Sequence, residues 1–177
     1  VVLVPIFSKD QDGIVLEPLD RVLASELIRT QCFEVVTLSR KDLLGALGAT
    51  QFETSSLLPY DFIRFLKNTY QADAVLMVDL TVYRPYKPMA MGMRAKLISL
   101  QTGDLRLLWA SDAVYDSGDP RVAMGAKRYQ QSFMSSSYPL HQPVSITQSP
   151  TYFWHYVVFT SLQALPTPPA AGSSPAG

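Results

Sequence analysis

Of 177 residues only one is cysteine and two are histidine. A single Cys32 excludes an intramolecular disulfide framework and a cysteine-based zinc cluster, and His141 and His155 alone cannot supply a histidine-rich metal site. Net charge of either sign is also missing, with 15 Lys+Arg against 15 Asp+Glu. Binding to nucleic acid or to an anionic membrane surface as the main activity needs a positive excess, so neither is expected. No apolar run reaches the ~18 residues that a spanning helix requires. Gly45, Gly48, Gly92 and Gly103 match neither a dinucleotide fingerprint nor a phosphate-binding loop. What is abundant is apolar surface: hydrophobic residues make up 47% and charged residues 17%, enough for a packed core and too little charge for a disordered chain. This composition points to binding or assembly, with no cofactor expected.

Along the chain, short aliphatic runs alternate with helical periods, the mark of an α/β arrangement. Residues Val1 to Phe7 read as a strand buried on both faces. Leu16, Leu19, Val22, Leu23, Leu27 and Ile28 recur at helical spacing, with Pro18 in the first turn where it is tolerated. Phe33 to Leu38 reads as a second strand. Ser39 caps a short helix that stops at Gly48, and another helix is predicted from about Pro59 to Tyr70. Three long strands are expected at Ala74–Tyr83, Met89–Leu100 and Leu105–Tyr115, the last two joined by a tight turn at Gln101–Asp104 and therefore antiparallel. Asp119-Pro120 opens a helix to about Met134, and Ser149-Pro150 caps a last one to about Leu165, with a polar loop between. The expected fold is a mixed sheet of about five strands with helices packed on it, ending in an antiparallel meander: one α/β domain over 1–165. From Pro166 the chain is built of Pro, Ala, Gly, Ser and Thr, which cannot repay the entropy of ordering, so 166–177 is expected to be a flexible tail.

Candidate chemistry is thin. Cys32 has no base near it in sequence and is expected to be a half-buried structural thiol. His155, inside the aromatic run Tyr152–Tyr156, is expected to be satisfied by a neighbour. Asp79 and Asp112 could face one another across the sheet, yet no nucleophile and base accompany them, and a hydrolase reading is disfavoured. The aromatic residues Trp109, Tyr115, Tyr152 and Trp154 offer an alternative role as a glycan or small-molecule binding module.

The most unusual stretch runs from Tyr83 to Met93. Two prolines, Pro85 and Pro88, rule out a regular central strand, so the chain is expected to leave the sheet here as a protruding connection. Tyr83, Arg84, Tyr86, Lys87, Met89, Met91 and Met93 have the composition of protein interfaces. They form the candidate contact loop; the opposing reading is a hairpin tip whose aromatics fold back on the domain.

Several phrases, taken in order, are similar to a known family: the opening strand with its helix, Phe33-Glu34-Val35-Val36-Thr37-Leu38-Ser39-Arg40 followed by Leu43-Leu44, Ala72-Asp73-Ala74-Val75-Leu76 entering a long strand, and Leu97-Ile98-Ser99-Leu100-Gln101-Thr102-Gly103-Asp104 as a hairpin. Together they cover about residues 1–118. The chain resembles the periplasmic domain shared by the curli-secretion lipoprotein CsgG, the penicillin-binding-protein activator LpoB, the polysaccharide-export lipoprotein PelC and the amino-terminal domain of TolB. It departs from the family at Ser39, where an acid is usual before Arg40, and at Val78 and Asp79, where a glycine is common. The resemblance implies a non-enzymatic envelope protein of the periplasm, attached to the outer membrane through an upstream lipid-bearing cysteine. Such a protein would scaffold or regulate a secretion, motility or cell-wall assembly, with protein partners and self-association into oligomers or rings. Cys32 lies inside the fold and is not that anchor. The connection at Tyr83–Met93 is too short for a pair of membrane-spanning strands, so no pore is expected.

Overall fold

The computed structural model describes residues 1–9, 14–101, 105–134 and 144–166. Its elements run β1 (Val2–Leu3), α1 (Glu17–Arg29), β2 (Val36–Thr37), α2 (Arg40–Leu47), α3 (Tyr60–Tyr70), β3 (Ala74–Arg84), β4 (Ala90–Ser99), β5 (Arg106–Asp116), α4 (Pro120–Tyr129) and α5 (Pro150–Leu162). They form one five-stranded sheet in the order β2-β1-β3-β4-β5. The first three strands are parallel and β3, β4 and β5 antiparallel, so the expected mixed sheet with a terminal meander is the observed one.

Each helix boundary has a local cause. Ser39 Oγ accepts the Asp42 amide at the start of α2, and Gly48 ends it in the left-handed region at φ 69°, where a side chain would be strained. Asp119 and Ser149 cap α4 and α5 in the same way, each followed by a proline in the first turn. The helix expected to reach Met134 instead ends at Tyr129 and continues as a π-helical turn over Gln130–Met134.

Alternation along β3 divides the core in two. Ala74, Leu76, Val78 and Leu80 face one side with Met91, Met93, Ala95 and Leu97 of β4, under α1, α4 and α5. Val75 and Met77 face the other side, under α2 and α3, where Phe62 stacks on Phe52 at 4.6 Å. Trp154, Phe153 and Phe62 are the largest wholly buried side chains, and each contributes on the order of 2–3 kcal/mol by leaving water.

Two strands are shorter than expected. In Val1–Phe7 the ladder covers only Val2–Leu3, because Pro5 has no amide to donate; pairing resumes at Phe7, bridged to Asp79. The second strand contracts to Val36–Thr37, an exposed outer pair. By contrast, the stretch from Tyr83 to Met93 does not leave the sheet as a whole. β3 continues to Arg84 and β4 begins at Ala90, so both prolines sit in the tip between them, where no ladder amide is required. The expected turn residues 102–104, the loop 135–143 with His141, and 167–177 of the expected tail lie outside the described residues.

Candidate protein interface

The β3–β4 hairpin and a cleft at its base form the candidate site. Near the tip, Arg84 braces the loop: its Nε donates to the Pro88 carbonyl at 2.6 Å and its Nη2 to Asp116 Oδ2 of β5 at 2.6 Å. Asp116 also accepts the Gly118 amide at 2.8 Å, and these two donors hold its carboxyl below the usual range, the amide foremost. The Lys87-Pro88 peptide is cis. On this braced tip Tyr86 stands 81% exposed, with Lys87 and Pro88 also exposed beside it. Tyr83 is half-buried against the main core, opposite Met91; burial, and to a lesser degree nearby Tyr86, raises its hydroxyl pKa.

The three methionines must be taken out of the contact loop. Met89, Met91 and Met93 are at most 1% exposed and belong to the core beneath α5. The reason is alternation: β4 lies between β3 and β5, and every second side chain from Met91 points to the helix-covered face. Their composition resembled an interface because flexible thioethers fill cores and interfaces alike. Of the seven candidates, Tyr83, Arg84, Tyr86 and Lys87 remain at least partly on the surface.

Below the hairpin, an open cleft of about 730 Å³ is lined by Phe7, Glu53, Asp79, Thr81, Tyr83 and Arg94 among others. Asp79 is buried at its floor, where its carboxylate accepts the Thr54 amide at 2.9 Å and the Thr54 hydroxyl at 2.5 Å. Burial pushes its pKa up, against the pull of those two hydrogen bonds. Lys96 Nζ secures the same segment by donating to the Thr54 carbonyl at 2.9 Å. In the sheet register Asp79 lies opposite Arg94, and Arg94 opposite Asp112. Arg94 Nε donates to Asp112 Oδ2 at 2.7 Å. The Asp79 and Asp112 carboxylates thus share a face of the sheet with the Arg94 side chain between them.

Outside this region the other candidates take structural places. Cys32 Sγ lies 3.5 Å from the Thr30 carbonyl and is half-buried. His155 Nδ1 is 2.7 Å from Glu26 Oε1, so its neighbour is a carboxylate brought from α1, 129 positions away. The same buried Glu26 accepts the Tyr129 hydroxyl at 2.8 Å and pairs with Arg29 at 2.5 Å. Arg29 in turn lies over the rings of Tyr129, Phe133 and Phe159, a junction of α1, α4 and α5 with no signal in local sequence. Trp154 is wholly buried and donates to the Leu19 carbonyl at 3.2 Å. Tyr115 meets Ser161 and Tyr156. With Trp154 enclosed, the four aromatics considered for a ligand do not form one surface. Among the described residues no group of three or more His, Cys, Asp or Glu is placed to hold a metal, and no helix is long and apolar enough to cross a membrane.

Comparison with solved structures matches this arrangement of sheet and helices. The chain is similar to the hypothetical protein CT253 from Chlamydia trachomatis, at 9% identity, 92% coverage of both chains and a TM-score of 0.51. It is also similar to a dodecamer of a single-residue PelC variant from Paraburkholderia phytofirmans, at 10% identity, covering 91% of this chain and 84% of that one with a TM-score of 0.52. A further PelC dodecamer structure from that organism gives 11% identity, coverage of 91% and 82%, and a TM-score of 0.51. The shared feature is the fold. At these identities function does not follow from it. No family model and no curated protein matches the chain.

Proposed function

We propose that this chain is a non-enzymatic, envelope-associated scaffold or accessory subunit that works by protein–protein contact through the tip of its β3–β4 hairpin. The observation that carries the reading is an exposed aromatic, Tyr86, with Lys87 beside it, on a loop that Arg84 ties to both Pro88 and Asp116. A pre-braced loop presents a large side chain with little ordering cost on binding, which is how interface anchors gain affinity. Tyr83 and Arg84 support the tip, and Tyr86 and Lys87 make the contact. PelC, which has this fold, is a dodecamer, and that favours an assembly-forming role. A periplasmic location with outer-membrane attachment through an upstream lipid belongs to the same reading, by resemblance to envelope lipoproteins.

The test is the mass of the complex containing this protein in detergent extracts of cell envelopes. Tyr86→Ala with Lys87→Ala should shift the protein to smaller assemblies while its melting temperature stays within about 1 °C, since both side chains are exposed. An unchanged complex, or a large fall in melting temperature with the complex intact, refutes the reading.

A further inference from the structure

The outer strand β5 carries an unexplained pattern. It is an 11-residue strand at the edge of the sheet, with one row of backbone groups unpaired by β4. Natural edges of this length are ordinarily blunted by charge, yet Leu107 is 55% and Val114 57% exposed. Its two acids, Asp112 and Asp116, are each already paired within the chain, to Arg94 and Arg84. The register explains where the apolar pair belongs. Ser111 lies opposite Ala95 of β4, Val114 opposite Gly92 and Leu107 opposite Ile98. Each of the two is therefore three β4 positions from Ser111, in opposite directions. This holds although Leu107 is four residues from Ser111 along β5, because the bulge at Leu108 absorbs one. Gly92 and Ile98 are both an odd number of positions from Ala95, so Leu107 and Val114 lie on the same face of the sheet, away from α5.

We infer that β5 is a two-fold interface at which a second copy of this chain adds its own β5 antiparallel, centred on Ser111. In that register Leu107 of one copy meets Val114 of the other, twice. Ser111 faces itself across the axis, and Ala110 faces Asp112, so no like charges are opposed. Arg106, opposite Ser99 in β4, reaches the level of the other copy's Tyr115 ring on the helix-covered side, with Asp116 one step beyond. Shifting the centre to Asp112 would set two carboxylates face to face, and centring on Ala110 would bring Leu107 opposite Asp112. The contact is isologous and closes on itself. It uses the opposite strand edge from β2 and does not rest on the hairpin reading.

The test uses the purified 177-residue chain in sedimentation equilibrium. Wild type should dimerise, and Leu107→Glu or Val114→Lys should each weaken the dimer at least about tenfold by placing a charge against an apolar partner. Combining both substitutions in one chain sets Glu against Lys at each contact and should restore it. Both sites are more than half exposed, so near-ultraviolet circular dichroism should match wild type. Independently, Ser111→Cys in a Cys32→Ser background should oxidise to a covalent dimer, whereas Ala110→Cys and Ala113→Cys should not. A monomeric wild type, single variants that dimerise normally, failure of the double variant to recover, or equal cross-linking at 110, 111 and 113 would each overturn the proposal. Tyr86→Ala should leave this dimer intact, which separates its failure from that of the hairpin interface.

Discussion

Replacing Arg40 by alanine should expose how the first half of the fold is fastened. Arg40 stands at the start of α2 and reaches across to α1 and the end of the β1 segment. Its Nε and Nη2 bond Asp20 at 2.9 and 3.2 Å, and Nη2 also donates to the Ile6 carbonyl at 2.8 Å. Asp20 answers by accepting the Ile6 amide at 2.8 Å. Arg40 and Asp20 are only 19% and 24% exposed, so the pair is partly shielded from solvent. Removing one member of a fully buried pair costs roughly 3–5 kcal/mol, and the partial exposure here reduces this to about 2–3 kcal/mol. For a chain of this length that is a fall in melting temperature of roughly 5–10 °C. The pH dependence is the sharper reading. Burial raises the Asp20 pKa above its ordinary value, with Arg40 and the Ile6 amide opposing. A carboxyl with a raised native pKa binds its proton more tightly folded than unfolded, so its contribution to stability is greatest below the unfolded pKa and falls as pH rises through the native one. Without Arg40 that native pKa climbs further and the loss reaches to higher pH. The difference between Arg40→Ala and wild type should therefore be largest near neutrality and shrink towards about pH 4, the ordinary carboxylate range, followed by thermal melts at each pH. Adding Asp20→Asn, which keeps an oxygen for the Ile6 amide, should recover about half of the neutral-pH loss. A deficit that is constant with pH, or a second substitution that simply adds its own cost, would refute the argument.

Two further outcomes test the packing. A Cβ at Gly92 would lie 2.3 Å from Thr81 Oγ1 and 3.1 Å from the Val82 amide nitrogen, beside the β3 bulge, so Gly92→Ala should destabilise by about 1–3 kcal/mol in denaturant melts; an unchanged midpoint would mean that the bulge relaxes freely. Glu26→Ala removes the shared acceptor of Tyr129 and His155 and the partner of Arg29, and should cost about 2–4 kcal/mol, with amide exchange quickening in α4 and α5; loss confined to α1 would show that the junction does not join the three helices.

The expected element order was readable because its signals are local. The caps at Ser39, Asp119 and Ser149, the stop at Gly48 and the helical spacing of Leu19, Val22 and Leu23 each act within a turn or two of chain. The mixed sheet followed from short links that force antiparallel pairs after two helical crossovers. The candidate site was only half legible. Composition singled out Tyr83 to Met93, yet composition does not distinguish a methionine under a helix from one at an interface, and only the place of β4 between two strands put Met89, Met91 and Met93 in the core. Pairings that span the chain had no signal at all: Glu26 with His155 and Tyr129, and Arg40 with Asp20 and Ile6, meet because the sheet brings their helices together.

By itself the sequence determined that this chain has one cysteine, balanced charge and alternating helical and strand periods, and from these came an α/β domain with little metal or thiol chemistry to offer. Tertiary structure decided which faces those periods show. It braced Tyr86 outward through Arg84, buried the methionines behind it, set Arg94 between Asp79 and Asp112, and placed Leu107 in step with Val114 by means of one bulge. Which side of a strand is covered depends on neighbours supplied by distant parts of the chain, and that information is absent from any local window of residues.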